Sequence, residues 1–244
     1  HLYEKLNRID NSESVTTDVK DRITAALRHL RIGDGQVELE QQFINYWIAL
    51  EFIFASSSSK DNTYSRIKEN LVNILSACYA KRNLLYLENW MHREGILNNE
   101  DDLIAKINEP EFVAGLDNIL LKYRITNMKS HLHQKDKVKD YIVNHQTHLL
   151  QHISRIYRLR NELVHEAALK QDIENVASNL RFYLVFVLNQ MVDYFSEDST
   201  NMKSKTMLQF FWNYEKGLRA ILSADSSEVV TVILDIHIAK SYIV

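Results

Sequence analysis

Apolar residues recur along most of this chain at steps of three and four, the period of an α-helix buried on one face. That period predicts a first amphipathic helix over 17–32, closing near Gly33 and Gly35. A strongly apolar helix follows over 36–55, with Phe43, Trp47, Leu50 and Phe54 on one stripe, and the Ser56–Ser59 run ends it. A third helix is expected over 62–79, carrying Ile67, Leu71, Ile74, Leu75 and Cys78 on one face. Residues 82–134 read as shorter helices with polar links, one of them beginning at Pro110. Longer helices are expected over 136–166 and 171–195, then a polar loop over 196–206 and a helix over 207–222. The period then changes. Val230, Val232, Leu234, Ile236 and Ile238 alternate, which predicts a β-strand near the C-terminus. Its backbone partner is to be sought in another subunit, in a segment beyond this chain, or in a short unrecognised strand.

Composition agrees with the helical reading. Five glycines and one proline in 244 residues leave little material for hairpin turns. Hydrophobic residues at 45% and charged residues at 25% are the balance of an ordinary globular protein. A net charge of −3 argues against a broad, sequence-blind nucleic-acid surface, though not against a small basic cleft. The single cysteine, Cys78, excludes an internal disulfide framework and fits a reducing cytoplasm. No apolar run is long enough for a bilayer and no signal peptide is visible, so no membrane partner is expected. A chain starting at His1 reads as a piece of a longer protein.

Two charges sit on apolar stripes. Arg160 follows Leu149, Ile153 and Ile156 at eleven, seven and four residues, and Val164 comes four later, so all five share one helical azimuth. Glu51 lies four residues after Trp47 and eight after Phe43. An orphaned guanidinium in a core costs roughly 3–5 kcal/mol, so Arg160 needs an anion. Glu51 is expected to approach it in the bundle interior. One reading is a buried ion pair that fixes register without chemistry. The other rests on Asn161 and His165, four apart just beyond Arg160. Arginine holds phosphate by a planar fork, and histidine moves protons near neutrality. Together they are the parts needed to cleave RNA through its 2′-hydroxyl. His165 alone reads equally as a histidine at a helix C-terminus.

The segment from Ile156 to His165 resembles the signature of the HEPN superfamily, in particular its Apea-like branch: Tyr157, Leu159, Arg160, Asn161, a short spacer and His165. The segment Phe43 to Glu51, with its Trp47 and Ala-Leu-Glu, is similar to an early helix of that branch, and Arg66 falls where such proteins often carry another basic residue. The resemblance covers about 17–195, of which 82–134 match no pattern of the family. It implies an all-α helical bundle around an antiparallel helix pair. The chain as a whole reads as one domain over 1–222, with 82–134 as a helical insertion, and 223–244 as a strand-forming tail. The resemblance also implies a homodimer with a composite cleft, and a cytoplasmic, metal-independent endoribonuclease of the toxin–antitoxin, defence or RNA-processing kind. Arg160, Asn161, His165 and Glu51 would be catalytic, and Arg66, Tyr157 and Arg158 would bind RNA. No cofactor and no metal are expected, and an antitoxin or regulatory domain is a possible partner. A tyrosine modified by an antitoxin in one related subgroup is replaced here by Ala167. The alternative is a catalytically silent HEPN scaffold for dimerisation or for partner or nucleotide binding.

Other signals read more simply. His145, His148 and His152 have metal-ligand spacing but sit on the flank of an apolar stripe, where boundary histidines belong. His131 and His133 are expected to be solvated. Phe182, Tyr183 and Phe186 read as packing, and Lys135, Lys137 and Lys139 as a solvated cluster or the edge of an RNA path. Gly33-Asp-Gly35 lacks the lysine and spacing of a phosphate loop.

Overall fold

A computed structural model describes residues 1–56, 62–98, 100–132, 135–166, 173–197, 204–225 and 227–243; for Lys135, His165 and Glu166 it describes the backbone alone. The described residues are all-α, with twelve helices: α1 (Leu2–Asn11), α2 (Thr17–Asp34), α3 (Leu39–Phe54), α4 (Thr63–Ala77), α5 (Tyr79–Arg93), α6 (Leu103–Asn108), α7 (Pro110–Ala114), α8 (Ile119–Leu132), α9 (Lys135–Glu166), α10 (Ile173–Ser196), α11 (Met207–Ser223) and α12 (Val229–Asp235). The periodicity located the long helices within a few residues. It passed over α1 and merged α4 with the start of α5. Among the described residues no helix is long and apolar enough to cross a membrane.

The chain divides into two compact units. The first holds residues 1–75, 147–215 and 238–244, and the second holds 76–146 and 216–237. The segment 82–134 lies wholly within the second unit.

In the first unit α2 and α3 form a helical hairpin on which α10 packs, and α1 packs on α10. Glycine at 33 permits the close approach of α2 and α3: a Cβ there would lie 2.6 Å from the Tyr46 ring. Tyr46 Oη donates to Asp34 Oδ1 at 2.8 Å, and Arg181 of α10 donates to both Asp34 oxygens at 2.7 and 3.0 Å. Three helices are thereby tied at one carboxylate. Beneath it lie Phe43, Trp47, Leu50 and Phe54 of α3, with Ile23 and Ala26 of α2 and Leu184, Val187 and Leu188 of α10, all buried.

The predicted C-terminal strand does not form. Among the described residues the only bridge is an isolated parallel one between Val15 and Lys205. Val229–Asp235 is instead α12, because Val229 and Ile233, four apart, bury one helical face at the same time as the β-branched residues alternate. The rest of the tail is irregular, and its backbone bonds go to side chains rather than to a neighbouring strand. Asn189 Oδ1 accepts from the Tyr242 and Ile243 amides at 2.8 and 2.9 Å, and Asn189 Nδ2 donates to the Ile243 carbonyl at 3.1 Å. Gln190 Oε1 accepts from the Ala239 amide at 3.0 Å and from Tyr214 Oη at 3.0 Å. Asp193 completes the row, accepting from Tyr242 Oη and Lys5 Nζ, each at 2.7 Å.

In the second unit α5 packs on α8 and α12, while α6, α7 and α8 pack together. Asp102 caps α6 through the Ile104 amide at 2.8 Å, and Pro110 opens α7. Lys81 Nζ donates to the Ile236 carbonyl at 2.7 Å, a cation placed at the C-terminal end of α12.

Two outcomes test this packing. Arg181 above all, and then Tyr46, holds the Asp34 carboxyl below the usual carboxylate range despite partial burial. A depressed native pKa stabilises the fold above the unfolded value and loses that contribution as pH falls through the native value. Asp34→Asn therefore costs about 1 kcal/mol at neutral pH, a charged hydrogen bond discounted for exposure. In urea melts the gap to wild type narrows as pH drops below the usual carboxylate range. Burial pushes the Cys78 thiol up to about 12. Native protein should thus react with Ellman's reagent at least about a hundredfold more slowly than urea-unfolded protein.

Candidate functional site

Helix α9 carries its apolar stripe as far as Ile156 and then leaves the core. Leu149, Ile153 and Ile156 are buried, whereas Val164, on the same stripe, is 52% exposed. Arg160 falls at the transition. Glu51, on the last turn of α3, meets it there: Arg160 Nη2 lies 3.6 Å from Glu51 Oε1. The expected approach is present, but not in the bundle interior, since the two side chains are 29% and 34% exposed.

Both partners have second contacts. Glu51 Oε1 also accepts from Trp47 Nε1 at 2.6 Å, so one carboxylate oxygen serves a buried indole and a guanidinium. Arg160 Nη1 donates to Asn161 Oδ1 at 3.3 Å. A guanidinium carries five N–H donors, more than these two contacts use. Such a cation, fixed in direction and open to solvent, suits a phosphate or carboxylate.

An aromatic wall adjoins the pair. The Tyr157 ring stacks on Tyr64 at 3.9 Å between centroids and lies 5.7 Å from Trp47. Tyr64 Oη donates to Ser154 Oγ at 3.0 Å, tying α4 to α9. Tyr64 was not among the residues singled out from the sequence. Its relation to Tyr157 depends on how α4 faces α9, which helical period alone does not encode.

The remaining candidates are placed variously. Asn161 is half-buried beside Arg160, and Arg158 is exposed. The backbone of His165 continues α9 one turn beyond Asn161, and its side chain lies outside the described residues, as does Ala167. Arg66 does not join the group. It stands two residues from Tyr64, about 200° around α4, and lines a cleft of about 710 Å³ with Arg22, Glu69, Trp212 and Glu215. Arg22, also not foreseen, donates to the Phe52, Ile53 and Ala55 carbonyls and so closes the C-terminus of α3, one turn after Glu51.

The three-histidine spacing is used otherwise. His145 stacks face to face on Tyr79 at 3.5 Å, His148 is exposed, and His152 Nδ1 shares a hydrogen bond with Tyr183 Oη at 2.9 Å. Burial, reinforced by Arg155, lowers the His152 pKa. Tyr183 is buried as expected, while Phe182 is 44% exposed. Lys137 Nζ donates to Ser130 Oγ at 3.0 Å within the second unit. His131, expected to be solvated, is half-buried and stacks on Tyr141 at 4.5 Å, and His133 lies outside the described residues.

Comparison with known proteins finds no match: no family model, no curated protein and no solved structure is significantly similar to the chain.

The partial exposure of the Glu51–Arg160 pair sets its energetic scale. A double-mutant cycle of Glu51→Gln and Arg160→Gln in urea melts should give a coupling of about 1 kcal/mol or less, shrinking with salt. A salt-independent coupling above about 3 kcal/mol would mean an interior pair.

Proposed function

We propose that this chain is a metal-independent endoribonuclease domain of the HEPN type, acting as a homodimer in a toxin, defence or RNA-processing system. The observation that carries this reading is the state of Arg160. It is aimed by Glu51 and Asn161, left partly open to solvent, and followed at one helical turn past Asn161 by His165. The resemblance of the segment 156–165 to the HEPN signature supplies the reaction class.

The chemistry divides among these groups as follows. Arg160 binds the non-bridging oxygens of the scissile phosphate and stabilises the charge that builds there. The imidazole of His165 takes the proton of the ribose 2′-hydroxyl as that oxygen bonds to phosphorus. The bond from phosphorus to the 5′-oxygen breaks, and His165 of the second copy returns a proton to the leaving oxygen. The products are a 2′,3′-cyclic phosphate and a 5′-hydroxyl. Glu51, fixed by Trp47, positions Arg160, and Asn161 orients Arg160 or His165. The aromatic face of Tyr157 offers a stacking surface for a base, with Arg158 exposed on the same helix. Arg66, in its own cleft, would serve a more distant part of the strand.

A second reading, a silent scaffold, draws on the fact that Arg160 already has a carboxylate partner within one chain. Cleavage of a mixed RNA pool in EDTA separates the two. Wild type should cut. His165→Ala should lose cutting, and Arg160→Ala should fall by about 10²–10³-fold, as for loss of one transition-state donor. No cleavage by a folded, dimeric wild type would favour the scaffold.

A further inference from the structure

The second unit contains a cavity of about 490 Å³ that the ribonuclease reading does not use. Its wall includes Tyr79, Asn83, Arg124, Asn127, His131 and Tyr141. We propose that it is a mononucleotide-binding site, with the base on the ring wall and the phosphate on Arg124.

The rings form a continuous ladder. His131 stacks on Tyr141 at 4.5 Å and 18°, Tyr141 lies 4.8 Å from Tyr79, and Tyr79 stacks on His145 at 3.5 Å and 6°. All four rings are half-buried rather than part of the apolar core. The inner rings cover one another's faces, and the ladder ends at His131, which has one face that no described ring covers; a nucleobase stacks on such a face with little sequence cost. His131, at one end, keeps one polar atom unsatisfied: its buried Nδ1 meets no hydrogen-bond partner among the described residues. A buried polar atom without a partner costs stability.

The polar groups at the rim suit the rest of a nucleotide. The carboxamides of Asn83 and Asn127 both donate and accept, as base edges and ribose hydroxyls require. Asn83 is held in place by donating to Tyr141 Oη at 2.7 Å. Arg124 lies over the Tyr86 and Trp90 rings, 5.7 and 5.4 Å from their centroids, so its guanidinium is steadied by π-faces. No carboxylate is among the described lining residues, and a second guanidinium, Arg82, lies 5.9 Å from the centre of the Tyr79 ring. One cation, a ring surface and two carboxamides therefore surround a space within the size range of small-molecule sites, about 300–1,000 Å³. An anionic ligand with a planar heteroaromatic ring satisfies all of them; a neutral apolar compound leaves the polar groups unmet.

The test is calorimetric titration of the whole chain with AMP, GMP, CMP and UMP in turn, followed by the corresponding nucleoside and by inorganic phosphate. At least one monophosphate should bind. Its nucleoside should bind about tenfold more weakly, and phosphate alone should give no measurable heat. Arg124→Gln should weaken the monophosphate about tenfold and leave the nucleoside unchanged. Asn127→Ala, at an exposed position, should weaken both, and circular dichroism should show both variants folded. In Arg160→Gln, which removes the phosphate ligand of the proposed RNA site, a monophosphate-binding event that Arg124→Gln weakens should remain. The proposal is overturned if none of the four monophosphates binds, or if Arg124→Gln has no effect. It is overturned too if Arg160→Gln, rather than Arg124→Gln, abolishes binding, since the nucleotide would then occupy the proposed RNA site.

Discussion

The indole N–H of Trp47 needs an acceptor, because the ring is almost wholly withdrawn from water and a buried donor left unpaired is costly. The acceptor is Glu51, one turn later on the same helix. That bond fixes where the carboxylate stands, and the carboxylate in turn fixes where the Arg160 guanidinium can rest. A hydrogen bond demanded by core packing thus sets the direction of a charge at the surface. The cation is oriented before any ligand arrives, at a cost already met in folding.

A second part of the first unit is governed by polar groups too. Helix α10 is apolar through Val187 and Leu188 and then turns Asn189, Gln190 and Asp193 inward. Asn189 and Gln190 take up amides and a carbonyl of the C-terminal segment in the way a neighbouring strand would, and Asp193 holds the Tyr242 hydroxyl. Burial of three polar residues is tolerated because each is satisfied. The same accounting explains why the tail needs no sheet.

Much of the helical framework was legible because burial on one face imposes a period, and α2, α3, α9 and α10 obey it over many turns. The meeting of Glu51 and Arg160 was legible for a related reason: a charge on an apolar stripe must find an opposite charge. Its depth was not, because the stripe on α9 gives no sign that the helix leaves the core between Ile156 and Val164. The tail misled because Val229 and Ile233 satisfy the helical spacing while the residues around them alternate. Tyr64, Arg22 and the ring ladder of the second unit were hidden for a common cause. Each depends on which face one helix turns toward another, a tertiary choice that no local pattern records. Arg66 shows the converse: it lies near Tyr64 in sequence, yet α4 carries it into a different cleft.

The proposed attack by the ribose 2′-hydroxyl, served by Arg160 and His165, is tested most directly by the chemical ends of the RNA products. Mass spectrometry of fragments cut by the purified chain should find 2′,3′-cyclic phosphates paired with 5′-hydroxyls, and a single 2′-deoxyribose at a cut site should block cleavage there. Fragments ending in 3′-hydroxyl and 5′-phosphate, or cleavage that ignores the missing 2′-hydroxyl, would contradict it.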